Sequence, residues 1–137
     1  MDSIENKTPL ELVEDFHTAF KIINKYSPTN IPLRDYHLRY NLMVEENKEY
    51  LDACKENNLV EIADALGDKL YILCGTILKH GMQNIIEDVF EEIHRSNMSK
   101  LDHNGQPIFR EDGKILKSEN YFKPNIKSIL KDECSSN

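Results

Sequence analysis

Cysteine is scarce in this chain, and the three that occur, Cys54, Cys74 and Cys134, have no metal-binding spacing. An odd number of cysteines argues against a disulfide framework. Cys54 and Cys74 fall inside helical patterns and read as reduced core residues of a cytoplasmic protein. No apolar run reaches membrane length and two acids stand close behind Met1, so neither a transmembrane span nor a signal peptide is expected. A cationic surplus is missing as well. The formal net charge is −7, which disfavours a nucleic-acid partner, since that needs a basic footprint. There is no glycine-rich phosphate loop, no G-x-S-x-G, and no cysteine with a histidine beside it by pattern. Nucleophilic catalysis therefore has no support. Internal repeats and low-complexity segments are also absent.

What remains is ordinary globular composition, 39% hydrophobic and 30% charged over 137 residues. That is room for a single domain, 1–137, with one modest core. Its helical part is expected over about 8–96 and an arm over about 97–137. Thr8-Pro9-Leu10-Glu11 is a helix start, with Thr8 as N-cap, Pro at the first position and Glu11 closing a capping box. Val13, Phe16, Ala19, Phe20 and Ile23 form the expected buried stripe of this first helix, which ends before Ser27-Pro28. A second helix is expected from about Leu33 to Glu56. A third runs from about Leu59 to Lys79, stopped at His80-Gly81. A fourth, capped within Asn84 to Glu87, presents Ile85, Ile86, Val89, Phe90 and Ile93 to a core. Beyond Asn97, Asn104-Gly105 and Asp112-Gly113 are turn signals around Ile108-Phe109 and Ile115-Leu116, which predicts a small hairpin or irregular arm. Ile126 to Lys131 predicts a last helical turn.

The second and third helices carry acids where apolar residues belong. On a wheel of 100° per residue, Leu42, Met43, Tyr50 and Ala53 lie within about 60° of Glu46. Glu46 therefore sits inside the apolar stripe, Glu49 at its edge and Glu45 on its margin. In the third helix Glu61, Asp64 and Asp68 form a single row. The main apolar face, Ile62, Leu66, Leu70, Leu73 and Ile77, points elsewhere, which fits a solvated acidic face. Against that, Ala65, Tyr71 and Ile72 flank or continue the row, so the helix is apolar nearly all round and the row is expected to face another protein layer.

Chain reversal near Asn57-Asn58 sets Glu46 level with Lys69 and Glu49 level with Leu66, with Asp64 and Asp68 within about a turn of both glutamates. Four or five carboxylates in one partly buried volume cannot all stay ionised uncompensated, because desolvation and repulsion both raise their pKa values. A hard divalent cation is the usual remedy, and Mg2+ takes oxygen ligands while keeping water positions open. An acidic cleft also repels a triphosphate unless cations intervene. The alternative at this level is a structural or solvated acidic cluster. Arg39, on the same side as Glu46, is either a pairing partner for the acids or a substrate phosphate contact. In the arm, Asn97, Lys100, Arg110, Lys114 and Lys117 are phosphate contacts or solvated surface.

Glu45-Glu46-x-x-Glu49 followed by Glu61-x-x-Asp64 resembles the E-E-x-x-E … E-x-x-D signature of the MazG-like, all-α nucleoside triphosphate pyrophosphohydrolases. Ala63 to Asp68, Gly75 and Ser96-Asn97-Met98-Ser99-Lys100 resemble the phosphoribosyl-ATP pyrophosphohydrolase-like branch. The resemblance covers roughly Val13 to Leu130. It implies hydrolysis of an NTP or dNTP between the α and β phosphates to NMP and pyrophosphate, as nucleotide-pool housekeeping. It also implies Glu46, Glu49, Glu61 and Asp64 as Mg2+ ligands, with Mn2+ as a substitute. Many such sequences read Glu-Leu-Gly-Asp where this chain reads Ala65-Leu66-Gly67-Asp68, so the second half registers either on Asp64 or one turn on, at Asp68. The resemblance strengthens Asn97 and Lys100 as substrate contacts. An unliganded Glu45 or Glu46 would accept the proton of the attacking water.

The expected fold is an all-α bundle of four to five helices with a short C-terminal arm, assembled as a dimer or a dimer of dimers, because two helices apolar nearly all round need more partners than one small chain supplies. A di-iron bundle would use two Glu-x-x-His motifs, and Glu14-x-x-His17 and Glu91-x-x-His94 are present. The wheel turns both glutamates away from the apolar arcs, so the motifs are expected to face solvent. A phosphoribosyl-ATP-specific enzyme and a non-catalytic helical dimerisation module are the competing functions.

Overall fold

A computed structural model describes residues 4–135, with side chains through residue 132. The side chain of Cys134 lies outside the described residues. These residues hold five helices, α1 (Pro9–Ala19), α2 (Leu33–Lys55), α3 (Leu59–Lys79), α4 (Ile86–Met98) and α5 (Ile126–Ser135). They also hold one antiparallel hairpin, β1 (Ile108–Phe109) with β2 (Ile115–Leu116), in the register Ile108↔Leu116 and Phe109↔Ile115. The chain forms two compact units, Met1–Asn84 and Ile85–Asn137. No described helix is long and apolar enough to cross a membrane.

In the first unit α2 and α3 pack antiparallel, and α1 packs on α3. Asn57 turns the chain with a φ of 53°, and the Asn58 side chain caps α3 by accepting the Glu61 N–H at 3.1 Å. At α1 the Thr8 hydroxyl accepts the Glu11 N–H and donates to the Glu11 carboxylate, both at 3.2 Å, so Thr8 is the N-cap and Glu11 reaches back to its hydroxyl. The segment after α1 is stitched to the end of α3. Lys25 N–H donates to the Leu78 carbonyl at 3.1 Å, Thr29 N–H to the His80 carbonyl at 2.9 Å, and Lys79 Nζ to the Ile23 carbonyl at 2.7 Å. Gly81 is required here: its φ is 67°, and a Cβ would collide with the Ser27 carbonyl.

The stripe expected for α1 overran its end. The helix stops at Ala19 and Lys21 takes a φ of 59°, so Phe20 and Ile23 leave the core and are exposed. The inward face is Leu10, Val13 and His17, against Cys74 and Leu78 of α3. His17 is 2% exposed, which corrects the expectation that its motif faces solvent; Glu91 and His94 are exposed as expected. Asn24 Oδ1 lies 2.6 Å from His17 Nδ1, which supplies the partner that a buried imidazole needs. Burial, and the nearby Arg39 and Lys79 charges, hold the His17 pKa below its ordinary value against that hydrogen bond.

The apolar face expected of α3 is not the one this chain packs. Ala65, Cys74, Gly75 and Leu78 are buried, whereas Leu66 and Leu70 are 50% and Leu73 is 48% exposed. Met43, Asn47, Lys69, Leu70 and Leu73 line an open, mostly apolar groove of about 340 Å3.

The second unit also departs from its pattern. Ile85, Val89, Glu92 and Ser96 share one face of α4, with Ile85, Glu92 and Ser96 buried, while Phe90 is 72% exposed. The reason is polar. Glu92 Oε2 accepts the Asn125 N–H at 2.7 Å, its Oε1 accepts from Arg95, and Ser96 Oγ donates to the Phe122 carbonyl at 2.8 Å. Those bonds clamp the start of α5 and the irregular segment before it onto α4, and the backbone and Arg95 donors hold the Glu92 carboxyl below its usual range. The last helix is longer than the single turn expected.

Candidate metal centre

Three carboxylates converge between α2 and α3. Glu46, Glu49 and Asp68 each offer an oxygen, and these oxygens all lie within 4.8 Å of one another. Antiparallel pairing is the cause, since the turn at Asn57 sets the relevant levels of the two helices side by side. Lys69 Nζ donates to Asn47 Oδ1 at 2.5 Å and lies 6.0 Å from the centre of the Tyr50 ring, which matches the register expected from the sequence.

Glu46 is the least exposed of the three, as its place inside the apolar stripe dictates. Its Oε2 is buried without a hydrogen-bond partner among the described residues. Burial pushes its carboxyl up to about 7, helped by a hydrogen bond with Glu49 and by the charges of Glu49, Asp68 and Asp64. Asp68 is also raised, first by burial and then by Asp64 and Glu49. An orphaned, desolvated carboxylate oxygen facing two further carboxylates is the donor set a hard divalent cation takes. The residues present fit such an ion.

The other expected residues are placed differently. Asp64 is exposed and acts on Glu46 and Asp68 through its charge, without joining the set. Glu61 lines a groove of about 190 Å3 with Glu49, Asp52, Ala53 and Glu56. Glu45 is exposed and outside the set. The pairing of Arg39 with the acids requires a correction, because its hydrogen-bond partners lie elsewhere on α3. Arg39 is 9% exposed; its Nε donates to Thr76 Oγ1 at 3.0 Å and its Nη2 to the Ile72 carbonyl at 2.8 Å.

In the second unit Asn97 is exposed and Lys100 half-buried. In that segment the side chains with hydrogen-bond partners are those of Ser96 and Ser99. Ser99 Oγ accepts the Phe122 N–H at 3.0 Å, and Ser118 Oγ donates to the Leu101 carbonyl at 2.7 Å. Arg110 pairs with Asp112, and Lys117 Nζ sits 4.6 Å over the Tyr121 ring. The sequence reading missed Ser96 and Ser99 as anchors; a short hydroxyl on the buried face of α4 was the available signal.

The fold and this site define an all-helical protein whose central antiparallel helix pair carries a carboxylate cluster suited to a divalent cation. A profile of the phosphoribosyl-ATP pyrophosphohydrolase family matches residues 13–97, and the chain belongs to that family. Membership supports pyrophosphohydrolase activity and agrees with the resemblance drawn from Glu45–Glu49 and Glu61–Asp68. An uncharacterized protein of Acanthamoeba polyphaga mimivirus is 39% identical over 67 residues, which are 49% of this chain and 27% of that protein. The matched stretch thus spans about a quarter of that curated relative. A crystal structure of a protein provisionally described as an NTP pyrophosphohydrolase, from Exiguobacterium sp. 255-15, is 27% identical over 95% of each chain with a TM-score of 0.46. That likeness is too loose to bear on the site.

Proposed function

We propose that the chain hydrolyses a nucleoside triphosphate or deoxynucleoside triphosphate between the α and β phosphates, giving NMP and pyrophosphate. The observation that carries this is the Glu46–Glu49–Asp68 cluster with its unpartnered buried oxygen, in a chain of this family. Glu46, Glu49 and Asp68 would hold Mg2+, or Mn2+ in its place, with Asp64 adding charge. Bound there, the cation neutralises phosphate oxygens and acidifies water. The protein's own part is to hold the acids on two rigid helices and to take up a proton. Of the two expected bases, Glu45 is favoured over Glu46, because it lies outside the converging set and stays unliganded when the cation is bound. The negative net charge makes a metal-complexed nucleotide the form that approaches. Asn97 and Lys100 remain the proposed phosphate contacts.

Phosphoribosyl-ATP is the second candidate substrate, on the strength of the family that residues 13–97 match. A panel of NTPs, dNTPs and phosphoribosyl-ATP with Mg2+, scored separately for pyrophosphate and orthophosphate, distinguishes the two. Pyrophosphate is expected as the first product, lost in EDTA and restored by Mg2+. Orthophosphate first, or turnover persisting in chelator, rejects the chemistry. Nucleotide-pool housekeeping in the cytoplasm is the proposed role.

We further propose one domain acting as a dimer or dimer of dimers. The half-exposed Leu66, Leu70 and Leu73 beside the apolar groove support it, since monomers rarely leave a contiguous face of that kind in water. Leu70→Glu combined with Leu73→Glu is expected to lower the sedimenting mass to that of one chain. An unchanged mass places the contact elsewhere.

A further inference from the structure

Arg39 stands two turns before Glu46 on α2, and Ile72 one turn after Asp68 on α3, so the bonds between Arg39 and α3 lie directly beyond the acid cluster along the helix pair. The contact is elaborate for so small a core. Arg39 Nη2 donates to the Ile72 carbonyl at 2.8 Å; the Thr76 hydroxyl donates to the same carbonyl at 2.9 Å and accepts from Arg39 Nε at 3.0 Å. Guanidinium, hydroxyl and carbonyl thus form a closed triangle across the two helices. Space for it is made by Gly75, where an added Cβ would fall 2.5 Å from Arg39 Nη2 and 3.0 Å from His17 Nε2. Burying a guanidinium is costly unless its donors are met, and a residue serving only to fill the α2–α3 contact could be apolar.

We propose that Arg39 is a positioning residue, and that the Arg39–Thr76–Ile72 triangle, seated on Gly75, sets the α2–α3 spacing and rotation that bring Glu46 and Glu49 to Asp68. A planar fork with donors in fixed directions sets rotation as well as distance, which apolar packing does not. Carboxylate oxygens that must share one ion tolerate little misplacement, so a shift of the helices is felt in cation affinity before it is felt in folding. This rests on the proposed reading of the cluster as a cation site.

The test uses the full-length chain, with Mn2+ binding measured directly by titration, thermal melting in parallel and pyrophosphate release as a third readout. Thr76→Val keeps the shape and removes the hydroxyl, whereas Thr76→Ser keeps the hydroxyl and removes the methyl. Thr76→Val and Arg39→Lys are expected to weaken Mn2+ binding about tenfold, with Thr76→Ser close to wild type. Gly75→Ala, which displaces the guanidinium without altering its donors, is expected to weaken binding similarly. Mn2+ binding by Thr76→Val equal to wild type overturns the proposal and leaves the cation site standing. Losses that follow melting temperature alike in both Thr76 variants make the contact merely structural and overturn it as well. A wild-type chain that binds no Mn2+ and releases no pyrophosphate removes the functional reading, and the positioning role with it.

Discussion

Glu49→Gln and Asp68→Asn are each expected to cut the rate of pyrophosphate release by about two to three orders of magnitude, with the loss partly recovered at high Mg2+. Each side chain supplies one of three oxygens within 4.8 Å of one another, so neutralising either removes both a ligand and a charge. The same substitutions are expected to raise the melting temperature in EDTA, because carboxylates crowded at one place destabilise the ion-free fold. Lower activity with greater stability is the signature of a built site, whereas a structural residue loses both. The series also decides the register that the sequence left open. Asp68→Asn is expected to cost far more than Asp64→Asn or Glu61→Gln, because Asp68 belongs to the converging set and the other two do not. Equal losses at Asp64 and Asp68 would require a wider site. Full activity in Glu49→Gln would remove Glu49 from the site, whereas a wild-type chain with no Mg2+ binding, whose assembly Glu49→Gln leaves unchanged, would favour the non-catalytic dimerisation module.

The second large effect is on pH. Glu46 is pushed up to about 7, with burial the leading cause, so proton and cation compete for it near neutrality. Apparent Mg2+ affinity is expected to fall about tenfold between pH 8 and pH 6, the limit for displacing one proton from a group of that pKa. Glu46→Gln should flatten that dependence. The stability of the cation-free protein runs the other way. A folded-state pKa above the unfolded value means the native state holds the extra proton between about 4.5 and 7, so unfolding free energy falls as pH rises through that window. His17 opposes this on the acid side, since its depressed pKa makes stability fall as pH drops below the unfolded imidazole value of 6.5. Melting curves of wild type and Glu46→Gln in EDTA, from pH 5 to 8, separate the two groups. A Glu46 contribution that is absent or of opposite sign would show that the carboxyl is not held in this crowded, desolvated place.

Periodicity and punctuation carried the elements. Thr8-Pro9 opened α1, Asn57-Asn58 reversed the chain, His80-Gly81 closed α3, and of two turn signals in the arm Asp112-Gly113 joined the hairpin strands. Those features were legible because they rest on local backbone preference and on caps within a few residues of the groups they satisfy. The acid cluster was legible for a related reason: two helices joined by a short turn can pair in few registers, so charged residues inside an apolar stripe reveal what they will face. Faces were harder. The wheel shows that α3 and α4 each carry more apolar surface than one neighbour can cover, but not which sector this chain covers itself. In α4 the choice fell to Glu92 and Ser96, whose partners are backbone groups of Asn125 and Phe122. A helical wheel has no means of weighing bonds across that sequence distance. The acid pairing read for Arg39 failed for the same reason, since its nearest acid in the pattern was not its partner in space.

By itself, then, the sequence determined four helices and a last helical turn, an arm that was either a hairpin or irregular, carboxylates facing each other on two neighbouring helices, and a family resemblance. Tertiary structure alone decided that Asp68 rather than Glu61 meets Glu46 and Glu49, that His17 and Arg39 are interior, and which apolar faces stay open to water. Local propensity acts over a turn or two of chain, whereas those outcomes depend on helix spacing and rotation, set by contacts between residues more than thirty positions apart.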